Sequence, residues 1–314
     1  MSKIISIVVP CYNEEAALKY TIPQLLKIFD DLVGQGKISS ESFVLCVDDG
    51  SRDKTWEEIV KLHEKDNRVK GITLAHNRGH QYALLSGLME VKDKCDAAVS
   101  IDADLQDDPL AIVQMVEEFL NGKEIVYGVR ASRSTDTWFK RTTARCFYKF
   151  QASMGLQTIY DHADYRLMSS RALDILSQYG ESNLFLRGII PQIGLDTTIV
   201  KYDRHERVAG ESKYPLKKML AFSVDGITSF SARPMRMIFF VGLTLLLIDI
   251  LVALYVLIAY FGDTAIAGWP SIMLSVWFLG SLILMAIGIV GEYIGKIFVE
   301  VKARPRFNIK STIW

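Results

Sequence analysis

The sequence predicts a doubly wound α/β domain with a mostly parallel sheet, followed by an interfacial amphipathic segment and two transmembrane helices. Three observations carry that reading. Short β-branched runs alternate with helix-like stretches, the pattern of parallel strands joined by crossover helices. Acidic loops recur where those strands end, which is where such sheets bind ligands. Charge then thins out: of the 36 Lys+Arg and 36 Asp+Glu in 314 residues, only 7 and 4 lie from Arg233 onward.

Residues 4–9, 43–47, 69–74, 97–101 and 124–127 read as buried strands, and 15–33, 54–64, 80–92 and 110–121 as helices, within a domain spanning 1–214. Residues 215–236 mix Lys217 and Lys218 with Leu216, Met219, Leu220, Phe222, Val224 and Ile227, as an interfacial helix or an ordinary surface helix would. Residues 237–261 are apolar apart from Asp249, and 269–290 contain no charge. Each exceeds the roughly 20 residues needed to cross a bilayer core. Loop 262–268 has no Lys or Arg, whereas the outer flanks hold Arg233, Arg236, Lys296, Lys302, Arg304, Arg306 and Lys310. The positive-inside rule therefore places both termini, including a basic tail over 291–314, on the cytoplasmic side. Asp249, in the middle of the first span, is expected to face another helix within the chain or in an oligomer.

The chain is formally neutral, which removes the global electrostatic argument for a nucleic-acid partner. A 50% hydrophobic composition excludes a disordered or fibrous protein. Cys11, Cys46, Cys95 and Cys146 are dispersed without CxxC spacing, as reduced cytoplasmic thiols are. The first strand is followed by no GxGxxG, and there is no GxxxxGK[ST], so neither a dinucleotide cofactor nor a P-loop is supported.

Three post-strand loops carry the chemistry. Pro10-Cys11-Tyr12-Asn13-Glu14-Glu15 breaks its strand and offers an aromatic face and a carboxylate. Asp48-Asp49-Gly50-Ser51-Arg52-Asp53 puts two carboxylates at a strand end; Ser51 or Asp53 caps the next helix, which leaves Asp48 and Asp49 for base or ribose contacts. In Asp102-Ala103-Asp104-Leu105-Gln106-Asp107-Asp108-Pro109, extended backbone would project Asp102, Asp104 and Gln106 to one side. That is an oxygen set suited to Mg²⁺ or Mn²⁺. Asp107 or Asp108 with Pro109 then starts a helix. Asn77-Arg78-Gly79 either lines a pocket or turns the chain, and His76, His80, His162 and His205 read as structural or peripheral.

Together these loops resemble those of family 2 glycosyltransferases with the GT-A fold. With its apolar C-terminal runs the chain is similar to bacterial bactoprenol (polyprenyl-phosphate) glucosyltransferases, a group related to dolichyl-phosphate mannose synthase. The resemblance implies that Pro10, Tyr12, Glu14, Asp48, Asp49 and Asp102 hold a nucleotide, and that Asp102, Asp104 and Gln106 hold a metal and diphosphate. It implies phosphate contacts from Arg130 and Arg133, and an active-site carboxylate at Asp164 that acts with Asp104. Asp164 lies in a segment where Tyr165 replaces the family's usual Phe. Arg207, Ser212 and Lys213 would meet an acceptor phosphate; Arg166 would join them or form a core ion pair with Asp161 or Asp164.

The implied reaction is inverting transfer of a sugar from a nucleotide sugar, with uracil the expected base, to polyprenyl phosphate at the inner membrane of a bacterium. A homo-oligomer is also implied. A lipid phosphate is already an oxyanion near neutral pH, so Asp164 is expected to position groups more than to abstract a proton. Transfer to a lipid hydroxyl such as diacylglycerol, or a non-catalytic membrane scaffold, are the competing readings.

Overall fold

A computed structural model describes residues 2–130, 162–182, 184–203 and 268–314, with isolated positions between 238 and 254. The chain divides into two units, one holding the sheet together with Arg304–Trp314, the other holding Pro215–Ala303 with a short segment at 149–156.

The central strands β1 (Ile5–Cys11), β2 (Phe43–Asp48), β3 (Val69–Leu74) and β4 (Ala97–Ser100) are parallel and nearly continuous in buried apolar residues, as strands covered on both faces must be. They alternate with helices α1 (Glu15–Gly34), α2 (Thr55–Lys65), α3 (His80–Val91) and α4 (Ala111–Leu120), within a residue or two of the expected bounds. In α1, Leu18, Ile22, Leu25, Phe29 and Leu32 recur every three or four residues and form one buried stripe. Helix α3 lies close on the sheet because Gly87 has no side chain: a Cβ there would stand 2.5 Å from Val8 Cγ1 and 2.6 Å from Val47 Cγ2.

After β5 (Ile125–Arg130) come β6 (His162–Ser169), α5 (Ser170–Ser177), α6 (Leu186–Ile189) and β7 (Thr197–Tyr202). The completed sheet runs β7-β5-β6-β4-β1-β2-β3-β8, where β8 is Ile309–Ile313. It is mixed but mostly parallel: only β6, antiparallel to both β4 and β5, and β8, antiparallel to β3, run against the rest.

Two sequence expectations change here. Pro10 does not break β1; it lies buried inside the strand, paired with Val47 in parallel register. Residues 291–314 are not a tail. Helix α7 runs Trp269–Val301, well past 290, because nothing in Gly291–Val301 interrupts it and Glu292 and Lys296 pair across one turn at 4.0 Å. It ends where Ala303 turns to φ 43° ahead of Pro305. Phe278–Val301 is the one helical stretch among the described residues long and apolar enough to cross a membrane, with mean hydropathy 2.0. The expected first span at 237–261 falls largely outside the described residues, and the amphipathic segment 215–236 wholly so. Cys11, Cys46 and Cys95 are free and buried; Cys146 lies outside the described residues.

Candidate active site

Parallel strands deliver their following loops to one edge of the sheet, so the loops after β1, β2, β3 and β4 converge there. The β2 loop is the most tightly built. Asp48 accepts from the Ser51 N–H at 3.0 Å and from the Thr73 hydroxyl at 2.6 Å, and only 2% of the residue is exposed. Asp49 accepts from the backbone N–H groups of Arg78 and Gly79 at 2.7 and 2.8 Å. Burial raises its carboxyl above the ordinary value, against the pull of those two donors. Gly50, between this loop and its neighbour, has φ +64°, and a Cβ there would lie 2.8 Å from the His76 and Asn77 backbone.

Asp48, expected at the nucleotide, closes a turn through one oxygen and binds the neighbouring strand through the other. The segment Asn77-Arg78-Gly79, left open between pocket wall and turn, is the donor pair for Asp49. Asp53 takes the helix-start role, accepting from the Thr55 N–H at 3.0 Å, while Ser51 instead accepts from the Asn13 N–H at 2.9 Å. The Thr55 hydroxyl in turn accepts from the Glu14 N–H at 2.9 Å. These bonds stitch the β1 loop to the β2 loop and present Tyr12, 40% exposed, beside half-buried Glu14.

The β4 loop is not extended. Leu105 takes φ 47°, and the turn buries Ala103, Leu105 and Gln106 while leaving Asp102 and Asp104 half-exposed. The Gln106 N–H donates to Asp104 Oδ1 at 3.2 Å, so Gln106 leaves the row in which extended backbone would have placed it. Asp102 and Asp104 remain as the outward carboxylates. Burial, then repulsion from Asp164, Asp107 and Asp104, pushes the Asp102 carboxyl up, with His80 countering. No cluster of three or more His, Cys, Asp or Glu side chains at metal-holding geometry occurs among the described residues. Two carboxylates on one turn still fit a hard cation whose remaining ligands come from phosphate and water.

Arg130, expected at phosphate, is partly exposed and paired within the fold. Its guanidinium holds Asp107 at 2.9–3.0 Å, closing the far side of this loop. Asp108 accepts from the Leu110 N–H at 2.9 Å just ahead of α4. Tyr165 is where a Phe was expected, and its hydroxyl explains the difference by donating to the Asp108 carbonyl at 3.0 Å.

Asp164 is the electrostatic centre. It accepts from Arg166 Nη2 at 2.5 Å and from Arg187 Nε and Nη2 at 3.2 and 3.0 Å. Burial alone would raise its carboxyl, but Arg187, His80 and Arg166 together hold it well below the usual carboxylate range. Arg166 is 1% exposed, which settles its alternatives as the core ion pair and not an acceptor contact. His80 Nε2 stands 3.5 Å from Asp164 and 3.6 Å from Asp102. Burial opposes its charge, yet the two carboxylates prevail and push its pKa up to about 9. His80 and Arg187 are thus site residues that motif reading missed. Gln81 and Tyr82 on the first turn of α3 fix the segment carrying Arg187: Gln81 accepts from the Leu186 N–H at 2.9 Å, and Tyr82 donates to the Ser182 carbonyl. Arg133, Arg207, Ser212 and Lys213 lie outside the described residues.

Comparison with known proteins agrees with this geometry. The model described as Glycosyl transferase family 2 matches residues 6–187. A Bacillus subtilis protein named uncharacterized glycosyltransferase YkoT is 50% identical over 98% of this chain and 91% of its own length. The bactoprenol glucosyl transferase of Shigella phage SfX is 37% identical over 98% of this chain and 99% of its own. A prophage bactoprenol glucosyl transferase homolog of Escherichia coli is 35% identical over 98% of each.

Proposed function

Because this chain belongs to glycosyl transferase family 2, a family of sugar transferases, we propose that it moves a sugar from a nucleotide sugar, UDP-linked by our reading, onto polyprenyl phosphate. The observation that carries the choice of acceptor is the state of Asp164. A carboxylate gripped by buried Arg166 and half-exposed Arg187 is a poor proton acceptor, since protonation would cancel its attraction to both guanidinium groups. Transfer to a lipid hydroxyl calls for a base. Transfer to a lipid phosphate does not, because the nucleophile is already an oxyanion at neutral pH. Relatives named bactoprenol glucosyl transferase, matched along nearly their whole length, support the same acceptor class.

In this reading Tyr12, Glu14 and the β2–β3 loops held by Asp49 form the nucleotide side of the site. Asp102 and Asp104 would hold Mg²⁺ or Mn²⁺, which when bound supplies charge neutralisation at the leaving diphosphate. Asp164 orients Arg187 and His80 toward the reacting groups and keeps their positive charge in place. Single displacement inverts the anomeric centre, so an α-linked donor gives a β-linked lipid phosphate sugar. Arg133, Arg207, Ser212 and Lys213 are proposed to meet the acceptor phosphate. The same reading puts the enzyme in a bacterial inner membrane as a homo-oligomer, with one span at 237–261, a second within α7, an interfacial helix at 215–236 and the catalytic domain in the cytoplasm.

The test is nucleotide release by detergent-solubilised protein given Mn²⁺ and a panel of nucleotide sugars, with undecaprenyl phosphate, with diacylglycerol, or with neither. Release with one donor only when undecaprenyl phosphate is present, and lost in Asp104→Asn, is the expected result. Release that responds instead to diacylglycerol would replace this reading with hydroxyl transfer. Folded protein that binds no nucleotide across the panel would favour a scaffold.

A further inference from the structure

The chain's last strand does more than cover an edge. β8 pairs antiparallel with β3 from Gly71↔Ile313 to Leu74↔Ile309, and the ladder continues one step further, where the Ala75 N–H donates to the Asn308 carbonyl at 2.9 Å. Ala75 opens the loop whose Arg78 and Gly79 N–H groups bind Asp49 and which ends at His80. Thr73, in the same paired stretch of β3, donates its hydroxyl to Asp48.

The far end of β8 is locked as firmly. Ile313 fills the space above Gly71, where a Cβ would come within 3.0 Å of its Cγ1 and 2.7 Å of Ile59 Cγ2. Trp314 packs edge-on against Phe43 at 5.5 Å, and Lys94 Nζ sits 3.5 Å over its ring. Arg306, just before the strand, donates to the Tyr179 carbonyl at 2.9 Å. The strand that carries Thr73, the partner of Asp48, and leads into the loop bearing the partners of Asp49 is thus an edge strand until the C-terminal segment pairs with it.

We infer that β8 is a positioning element of the donor site, holding the 75–80 loop in the conformation that Asp49 and His80 require. The inference rests on the reading of the β2 and β3 loops as the nucleotide side. An unpaired edge strand frays at its end first, and here that end is the residue leading into the site. Loosening it would misplace the loop by an ångström or so, enough to weaken donor binding without touching the acceptor side.

The test uses the full chain in nanodiscs, a truncation after Phe307, and the milder variant Ile313→Ala. Hydrogen exchange across residues 75–80 is compared with exchange across β5 and β6, and UDP binding is measured with Mn²⁺ present. In the truncated chain we expect faster exchange at 75–80 with β5 and β6 still protected, and UDP binding weakened by about tenfold. The apparent KM for undecaprenyl phosphate should not move, and a peptide spanning 304–314 should restore UDP binding. Ile313→Ala should show the same pattern at smaller amplitude and serves if the truncation fails to fold. Unchanged exchange at 75–80 in either folded variant would overturn the inference, as would deprotection spread evenly through the sheet. Wild-type protein that binds no UDP would sink the donor reading instead, while the exchange data still decide the role of β8.

Discussion

The loops after β2 and β4 begin alike, as carboxylates at the ends of two strands that flank β1, and the structure puts them to opposite uses. Asp48 and Asp49 are 2% and 3% exposed, and hydroxyl or backbone N–H donors occupy both oxygens of each. Asp102 keeps 44% of its side chain open, and Asp104 is half-exposed on the same turn. A carboxylate buried with a donor on each oxygen shapes a loop, while one left in partial burial beside other carboxylates attracts a cation. Partners, more than residue type, separate architecture from chemistry here.

The largest expected effect lies at Asp164, which is both buried and central. Asp164→Ala removes a carboxylate partner from the buried Arg166 guanidinium and should cost about 3–5 kcal/mol of stability, read by denaturant unfolding. The depressed carboxyl adds a pH signature. Its stabilisation is complete above the ordinary carboxylate range and is lost as pH falls through the lowered folded value. Wild type should therefore lose more stability than Asp164→Asn on acidification below about pH 4. Parallel curves would mean that the ion-paired state contributes nothing.

Asp104→Asn should reduce turnover by roughly 10²–10³-fold while shifting stability by less than about 0.5 kcal/mol, because the side chain faces outward. A melting curve that collapsed together with the rate would break the contrast between the two loops. Gly50→Ala tests the other loop, combining a left-handed φ with a backbone clash, and should destabilise by about 2–4 kcal/mol. Asp48→Asn, which unbalances the bonds to Ser51 and Thr73, is expected to cost about 1–2 kcal/mol and to leave turnover per folded molecule within roughly threefold. The smallest effect is Tyr165→Phe, which gives up the bond to the Asp108 carbonyl for about 0.5–1.5 kcal/mol, with activity retained.

Much of this was legible in the sequence because it is local. β-branched runs and three-to-four-residue apolar spacing located the first five strands and four helices closely, and the post-strand rule pointed to the right loops. What escaped depends on partners distant along the chain. His80 looked peripheral because its neighbours Asp102 and Asp164 are brought to it only by the sheet order. Arg187 belongs to no motif and reaches Asp164 through a segment hung from Gln81. The bend at Leu105, which withdraws Gln106, violates the extended assumption on which side-chain alternation rests. β8 was hidden because a five-residue exposed strand carrying Lys310 reads as tail until β3 offers an edge.

The most direct test of the central contrast is calorimetric titration of UDP in the presence of Mn²⁺ into wild type, Asp104→Asn and Asp48→Asn. Metal-dependent binding that is lost in Asp104→Asn and kept in Asp48→Asn is the predicted result. Binding that survives in Asp104→Asn but vanishes in a well-folded Asp48→Asn would contradict the account, by making the buried pair the ligand and the exposed pair the scaffold.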